Sequence, residues 1–189
     1  MSTRTATRAL TVAALTASVI GVGAGSPAGA ASAVGPPYTA SLASTVLATP
    51  GFGLVATVSV TERKGHAPVV DVALYGEGLS CVVEGVPTAA ELTTLESATA
   101  TGTYTYVCTE GGGNGLTALE GTAHLHVVWT GVGPTERAPL YHCVGRYLVR
   151  EAEITGGLTL TGGLRAELTA APDNSRLSYD HNVCPPGIP

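Results

Sequence analysis

Three histidines are the residues of this sequence whose spacing comes nearest to a metal site. His124 and His126 alternate along an apolar segment, so in a β-strand both imidazoles would lie on one face. If residues 131–138 form a hairpin loop, His142 on the returning strand shares that face, and three histidines with an open fourth position could bind zinc. Arg146 would lie among them, however, and would repel a cation. We therefore expect no metal and no cofactor, and a histidine-metal hydrolase is only a third hypothesis for function.

Motifs of the common enzyme classes are otherwise missing from the sequence. It contains no G-x-S-x-G nucleophile motif and no H-E-x-x-H zinc motif. The run Gly111–Gly115 leads into a further strand-like segment, whereas a phosphate-binding glycine loop opens a helix whose N-terminus holds the anion. We expect no catalytic residue, and the sequence favours a binding or structural role over an enzyme.

The sequence has four cysteines, Cys81, Cys108, Cys143 and Cys184. None of them is close enough to another for the C-x-x-C pairs that are typical of zinc sites. An even number of cysteines in an exported chain favours two disulfides. Three pairings can be drawn, and proximity along the chain favours Cys81–Cys108 and Cys143–Cys184.

Residues 131–138 (GVGPTERA) are rich in turn-forming residues and are expected to form an exposed loop between two strands. Pro134, Thr135, Glu136 and Arg137 are the candidate interaction residues, because rigid β-scaffolds commonly present binding residues on loops. An exposed Arg137 would also suit a secreted protease inhibitor that offers this side chain to an enzyme. The alternative interpretation is an ordinary connecting turn.

The segments that would position these residues alternate apolar and polar side chains, which is the period of a half-buried strand. In residues 54–61 the even positions are Leu, Ala, Val and Val, and the odd positions after Val55 are Thr, Ser and Thr. Eight or nine such segments, separated by turns rich in Gly, Pro and Asn, predict an all-β fold. We expect an antiparallel β-sandwich of immunoglobulin-like or similar Greek-key topology. A small β-barrel is the alternative.

Two interruptions of this strand pattern are expected. Residues 87–99 fit either a short helix or an ordered loop, because Thr88 and Glu91 have the spacing of a capping box. Gly121 interrupts the segment that carries the histidines and favours a bulge there.

The aromatic residues are expected mainly in the core. Trp129, the only tryptophan, shares a strand face with the apolar residues of its segment, and the histidines lie on the other face. The expected hairpin places it beside Cys143. Tyr104 and Tyr106 share a face with Cys108, and we expect all three to pack together.

Residues 1–33 have the three parts of a signal peptide. Two basic residues give a positive start, an apolar run follows, and Ala30 and Ala33 each end a small-x-small cleavage site. The apolar run is too short for a confident membrane span. We expect cleavage after Ala30 or Ala33, which leaves residues 34–189 as a single secreted, β-rich domain without a membrane anchor.

The mature domain is expected to be acidic. The full chain has 9 basic and 14 acidic residues, and cleavage would remove Arg4 and Arg8, so seven basic residues would remain and the formal charge would be −7. Nucleic acids and anionic membranes are bound mainly through Lys and Arg, so we expect neither as a partner. An extracellular protein or glycan, unidentified by the sequence, is the expected partner.

Together these features predict a secreted, soluble, non-enzymatic protein with a recognition or structural role outside the cell. A secreted protease inhibitor that acts through residues 134–137 is the alternative function.

Overall fold

The structure is a computed structural model that describes residues 38–112, 115–139 and 144–183. Their backbone forms strands joined by turns, with one short 3₁₀ segment at Pro50–Phe52. The nine strands are β1 (Tyr38–Ala48), β2 (Leu54–Arg63), β3 (Val69–Gly76), β4 (Leu79–Thr93), β5 (Ser97–Gly112), β6 (Gly115–Ala138), β7 (Val144–Gly162), β8 (Ala166–Ala170) and β9 (Arg176–Val183). Every pairing among them is antiparallel. The predicted all-β antiparallel class and number of strands are confirmed.

Strand pairing runs in a closed circuit. Each strand from β1 to β7 pairs with the next along the chain, and β7 then pairs with β8 and β9, which both pair with β1. Antiparallel neighbours need only short turns, so the meander from β1 to β7 follows from alternating segments separated by turn residues. The continuous circuit matches the closed strand arrangement of a small β-barrel, which was the alternative to the predicted sandwich.

The circuit is weakest between β3 and β4. These strands pair only beside their two-residue turn, at Gly76–Leu79 and Tyr75–Ser80, although β3 pairs with β2 and β4 with β5 over much longer stretches. The remaining part of β4 contains Pro87, which has no N–H to donate, and the β4–β5 register shifts directly after it. A proline and a bulge are typical of a strand with an unpaired edge.

One hydrophobic core fills the ring, with buried residues from β1 to β3 and from β5 to β9 and partly buried residues from β4. In β2 the side chains of Ala56, Val58 and Val60 are buried, whereas Thr57 is exposed. The predicted faces of this strand are therefore confirmed. Trp129 has no exposed surface at all, as its phase with the apolar residues of β6 predicted.

A disulfide joins β4 to β5. Cys81 and Cys108 lie directly opposite each other in the ladder, with their Cα atoms 4.0 Å apart. This pairing is confirmed, as is the burial of Tyr104 and Tyr106 on the face of Cys108. The second predicted disulfide, between Cys143 and Cys184, lies outside the described residues.

The predicted register around the histidines is wrong. Residues 131–138 belong to the end of β6 and do not form the hairpin loop, because the pairing with β7 continues to Ala138. His126 therefore lies opposite Gly157 and His124 opposite Thr159, whereas Arg146, which was expected among these histidines, lies opposite His181 in β9. Trp129 lies opposite Ile154, and Cys143, its predicted neighbour, lies outside the described residues. The strand tolerates its glycines and proline by forming an irregularity between Val132 and Glu136.

The predictions that the strand pattern is interrupted at residues 87–99 and at Gly121 are also wrong. In place of a helix or loop over residues 87–99, β4 extends to Thr93 and β5 begins at Ser97. Gly121 lies in unbroken register with Tyr106 across the β5–β6 ladder. In both places the alternation of small and polar residues, supported by pairing to a neighbouring strand, outweighs a signal carried by one or two residues.

Candidate ligand-binding cleft between β3 and β4

A cleft of about 550 Å³ opens where β3 and β4 separate. We call it the seam cleft. One wall is formed by β2 and β3, and the other by β4 and by one side chain of β5. The residues that line it are Thr57, Ser59, Val70, Asp71, Val72, Ala73, Val83, Glu84, Gly85 and Tyr104. The lining thus combines four apolar side chains with two hydroxyl groups, two carboxylates and a phenol.

The phenol of Tyr104 is the most unusual group in the seam cleft. The residue is only 3% exposed, and its buried hydroxyl has no hydrogen-bond partner among the described residues. Burial raises the pKa of Tyr104 above its usual value near 10, and the negative charge of Asp71 adds to the rise. The hydroxyl therefore stays protonated at neutral pH, able both to donate and to accept a hydrogen bond.

Two glycines make room for the ring of Tyr104. A Cβ atom at Gly85 would lie 2.8 Å from the Cδ1 of Tyr104, and a Cβ at Gly102 would lie 2.9 Å from its Cε2 and 3.1 Å from its hydroxyl oxygen. Gly85 is the cross-strand partner of Tyr104. The ring thus lies against two positions where a larger residue would collide with it.

Asp71 and Glu84 give the seam cleft its charge. They lie on opposite walls, in β3 and β4, and both side chains are exposed. None of the described residues that line the cleft is an arginine, a lysine or a histidine. The cleft is therefore a negatively charged opening, and Tyr104 is one of the residues that line it.

Tyr106 shows how a buried tyrosine is normally accommodated in this fold. It is 1% exposed, and its hydroxyl donates toward the carbonyl oxygens of Thr161 and Leu164, each at 3.0 Å, and accepts from the backbone N–H of Leu164 at 2.7 Å. Trp129 also has a buried polar atom without a partner among the described residues, its Nε1, but it does not line the seam cleft. Among the described residues, Tyr104 alone both lines the cleft and has a buried polar group without a hydrogen-bond partner.

The histidines occupy a different and shallower place. His124 and His126 are both exposed on the outer face of β6, as their alternation predicted, and line a hollow of about 400 Å³ together with Glu167. The Nδ1 atom of His124 lies 3.3 Å from the hydroxyl of Thr103. Within the described parts of the chain, no three His, Cys, Asp or Glu side chains are placed to hold a metal ion. His142, the third predicted ligand, lies outside those parts.

The predicted interaction residues lie on a protrusion of β6. Pro134, Thr135, Glu136 and Arg137 are all exposed. Residues 133–135 have no partners in the ladder, whereas Glu136 and Arg137 pair with β7. The structure therefore presents these four residues together, but on an irregular strand rather than on a free loop.

Sequence reasoning missed the seam cleft. Tyr104 was expected to be buried, but nothing in the pattern indicates that its hydroxyl has no partner. Two signals were available: Asp71 interrupts the apolar run of β3, and Gly85 follows Glu84 within the segment that forms β4. A glycine within a strand often marks a bulge, a bend or a place where a ligand or another backbone approaches.

Comparison with known proteins gives no family for this chain: no family model matches it, and neither a curated protein nor a solved structure matches it. A helix with the length and apolarity to cross a membrane is not found among the described residues.

Proposed function

We propose that this protein is secreted and acts as a non-enzymatic recognition protein whose binding site is the seam cleft. The observation that carries the proposal is Tyr104, a residue that lines the cleft and whose buried hydroxyl has no hydrogen-bond partner among the described residues. Such a group costs the folded protein about 1–3 kcal/mol. A ligand that reaches the hydroxyl and forms a hydrogen bond with it removes this cost. A buried hydroxyl that lowers the stability of the free protein is therefore explained if it serves ligand binding.

The rest of the cleft supports binding. Its lining combines four apolar residues with five polar ones, and in ligand sites apolar contacts give affinity while polar groups fix orientation. The ring of Tyr104 is buried and packs against Gly85 and Gly102, so little of its conformational entropy has to be lost when a ligand binds.

The experiment compares Tyr104→Phe with Tyr106→Phe. A fragment library containing amines, alcohols, amides and sugars is screened by protein-observed NMR against the intact protein. We expect hits to shift the backbone amides of residues 71–73 and 83–85, and we expect Tyr104→Phe to abolish these shifts without lowering the melting temperature. Hits that cluster elsewhere on the surface, or that bind Tyr104→Phe as well as the wild type, would contradict the proposal.

Secretion is part of the proposal and has its own test. The cross-strand disulfide Cys81–Cys108 fits an oxidising compartment, and the charge and cleavage pattern of residues 1–33 is that of a signal peptide. Protein recovered from the culture medium is expected to begin at Ala31 or Val34. N-terminal sequencing checks this, and a secreted product that retains Met1 would reject it.

Protease inhibition is a second candidate function, favoured by one observation on the protrusion of β6. Three residues, 133–135, lie opposite Arg150 alone, and its guanidinium donates to the carbonyl oxygens of Gly133 and Leu95, both at 3.1 Å. The protrusion is thereby held in one shape, as an inhibitory segment must be. If this function is present, the protein inhibits a trypsin-like protease and Arg137→Ala abolishes the inhibition while Glu136→Gln does not. A protease panel without inhibition removes this candidate.

A further inference from the structure

We infer that the seam cleft receives an extended segment of a partner protein, which pairs with β3 and β4 as an additional strand and alternates apolar and basic residues. The inference rests on the proposed function of the cleft and names the class of partner. In strand addition of this kind, main-chain hydrogen bonds give affinity and alternate side chains give specificity.

The backbone of β4 directs one set of its hydrogen-bonding groups into the seam. The carbonyl oxygen of Glu84 points toward β5, because the hydroxyl of Thr105 in that strand donates to it at 3.3 Å. Along an antiparallel strand, residues that hydrogen-bond to one neighbour alternate with residues that do not. The N–H and C=O groups of Val83 and Gly85 therefore point away from β5 and toward β3.

The matching edge of β3 follows from the turn that joins the two strands. By the same alternation, the backbone groups of Leu79 point toward β3, so Leu79 and its partner Gly76 form a hydrogen-bonded pair. Counting back from Gly76 in steps of two, Val72 and Val70 also direct their N–H and C=O groups toward β4. The pairing of β3 with β4 ends before it reaches them.

Both walls of the cleft thus present backbone donors and acceptors without a ladder partner among the described residues. The residues that carry them, Val70, Val72, Val83 and Gly85, all line the cleft. Because β3 and β4 are antiparallel, an added strand would be antiparallel to one and parallel to the other, and both arrangements form hydrogen-bonded ladders. Such a strand would complete the ring where its pairing is weakest.

The core side of the seam suits apolar residues. Val70 belongs to the hydrophobic core, and Val72 and Val83 are partly buried against it. Successive side chains of a strand point to opposite faces of the sheet. Every second residue of the added strand would therefore lie beside these valines and bury apolar surface with them.

The outer side suits basic residues and disfavours a second copy of this chain. Asp71 and Glu84 are exposed on opposite walls, and no basic side chain is among the described residues that line the cleft. Opposite charges on neighbouring strands stabilise their pairing, and like charges destabilise it. Edge-to-edge pairing of two copies would bring carboxylates together, whereas lysine or arginine residues of a partner would pair with them.

The first test needs no ligand and measures amide hydrogen exchange of the intact protein by NMR. The amides of Val82 and Glu84 face β5 within the ladder and should be protected. Those of Val83 and Gly85 face the seam and should exchange faster. Equal protection of all four amides would mean that this edge of β4 is already paired, and would overturn the inference.

The second test titrates the intact protein with the peptide acetyl-Lys-Val-Lys-Val-Lys-Val-amide. One control is the same peptide methylated at every backbone nitrogen, which keeps the side chains and charges but has no backbone donors. The other control has glutamate in place of lysine. We expect only the unmodified lysine peptide to shift the amides of residues 70–73 and 83–85 and to slow the exchange of Val83 and Gly85. Equal binding of the methylated peptide would overturn the inference, because strand pairing would then play no part.

Charge reversal tests the contacts on the outer side. Asp71→Lys and Glu84→Lys are each expected to weaken binding of the lysine peptide about tenfold, since each replaces an attractive cross-strand pair by a repulsive one. Both should strengthen binding of the glutamate peptide. Glu167→Lys makes the same change of charge at the histidine hollow and should leave binding unchanged. If it weakens binding as much as Asp71→Lys, only the overall charge attracts the peptide and the inference is overturned.

The outcomes separate the inference from the function on which it rests. Shifts at the cleft with small fragments and none with the lysine peptide at millimolar concentration would overturn the inference but leave the seam cleft as the binding site. Shifts at the same amides that grow with protein concentration alone, together with a dimer in sedimentation, would identify a second copy as the occupant and overturn the choice of a basic partner. Absence of shifts with peptides and fragments alike would overturn the inference and the proposed function together.

Discussion

Two tyrosines on the same face of β5, two positions apart, differ in how their hydroxyl groups are satisfied. The hydroxyl of Tyr106 has three backbone partners, whereas that of Tyr104 has none among the described residues. Because their burial is nearly equal, the pair isolates the effect of hydrogen bonding on stability. The hydroxyl of Tyr106 stabilises the fold through its hydrogen bonds, whereas the hydroxyl of Tyr104 makes no such contribution.

The first prediction follows from this pair. Tyr106→Phe should lower the free energy of unfolding by about 1–3 kcal/mol, because the N–H of Leu164 loses its partner in a buried place. Tyr104→Phe should be neutral or stabilising, because it removes a group that is buried without compensation. Urea denaturation of the two variants and the wild type measures both effects. Equal destabilisation by the two substitutions would mean that Tyr104 has a structural partner after all.

Trp129 gives the second prediction at this scale. Its side chain has no exposed surface, so Trp129→Ala should cost about 3–5 kcal/mol. Trp129→Phe should cost much less, because it keeps most of the packing and removes the indole N–H, which has no partner among the described residues. Emission of the single tryptophan should be blue-shifted in the native protein and shift to the red on unfolding. Native emission like that of indole in water would contradict the buried position.

Among the elements, β6 lies so close to β5 and β7 at one position that only glycine fits there. At Gly121 a Cβ atom would lie 2.0 Å from the carbonyl oxygen of Thr161 and 2.4 Å from the hydroxyl oxygen of Tyr106. The glycine that was expected to interrupt the strand therefore allows it to pack closely. It leaves the space in which Tyr106 reaches its backbone partners.

The third prediction uses Gly121. Gly121→Ala is expected to destabilise the protein strongly, because the added methyl group collides with backbone and neither strand can move without breaking its ladder. Gly53→Ala is the control: Gly53 has φ −63°, and its nearest neighbour to a new Cβ would be 3.9 Å away, so no loss is expected. Thermal unfolding of the two variants checks the difference, and a stable Gly121→Ala protein would contradict the packing described for β5, β6 and β7.

At the same scale, the sequence allowed some elements to be predicted and not others, for physical reasons. The faces of β2 and the burial of Trp129 follow from local alternation, because a strand with one apolar face has only one sensible orientation. The partner of each residue in β6 depends instead on where the following turn lies, and the glycines and proline of residues 131–138 suggested a turn that strand pairing overrides. The seam cleft could not be predicted, because it arises from two strands that stop pairing and from a hydroxyl group without a partner.

For the whole molecule, ionisation of the Tyr104 phenol makes the free energy of unfolding depend on pH. The pKa of Tyr104 is raised in the folded protein, by burial first and by the charge of Asp71 second, relative to a value near 10 in the unfolded chain. The folded state therefore holds this proton more tightly. The resulting stability is fully present below pH 10 and is lost as the pH rises from about 10 through the folded pKa.

The fourth prediction tests this dependence. The free energy of unfolding of the wild type should fall more steeply above pH 10 than that of Tyr104→Phe, because the variant has no phenol at this position to ionise. Chemical denaturation at several alkaline pH values measures the two slopes, and tyrosine absorbance reports the ionisation directly. Parallel slopes would indicate that ionisation of Tyr104 is not linked to unfolding.

Ring closure also fixes the order in which the fold can be completed. Every strand pairing from β1 to β7 joins neighbours along the chain, but β1 obtains its second partner only from β8 and β9, with Thr39 opposite His181. During synthesis, β1 therefore cannot complete its pairing until β8 and β9 have been made. Because the first and last strands pair, the molecule is a candidate for circular permutation. In such a variant a short linker joins β9 to β1, and the chain is reopened in the turn between β2 and β3. Strands β9 and β1, which the natural chain makes last and first, would then be synthesised one directly after the other.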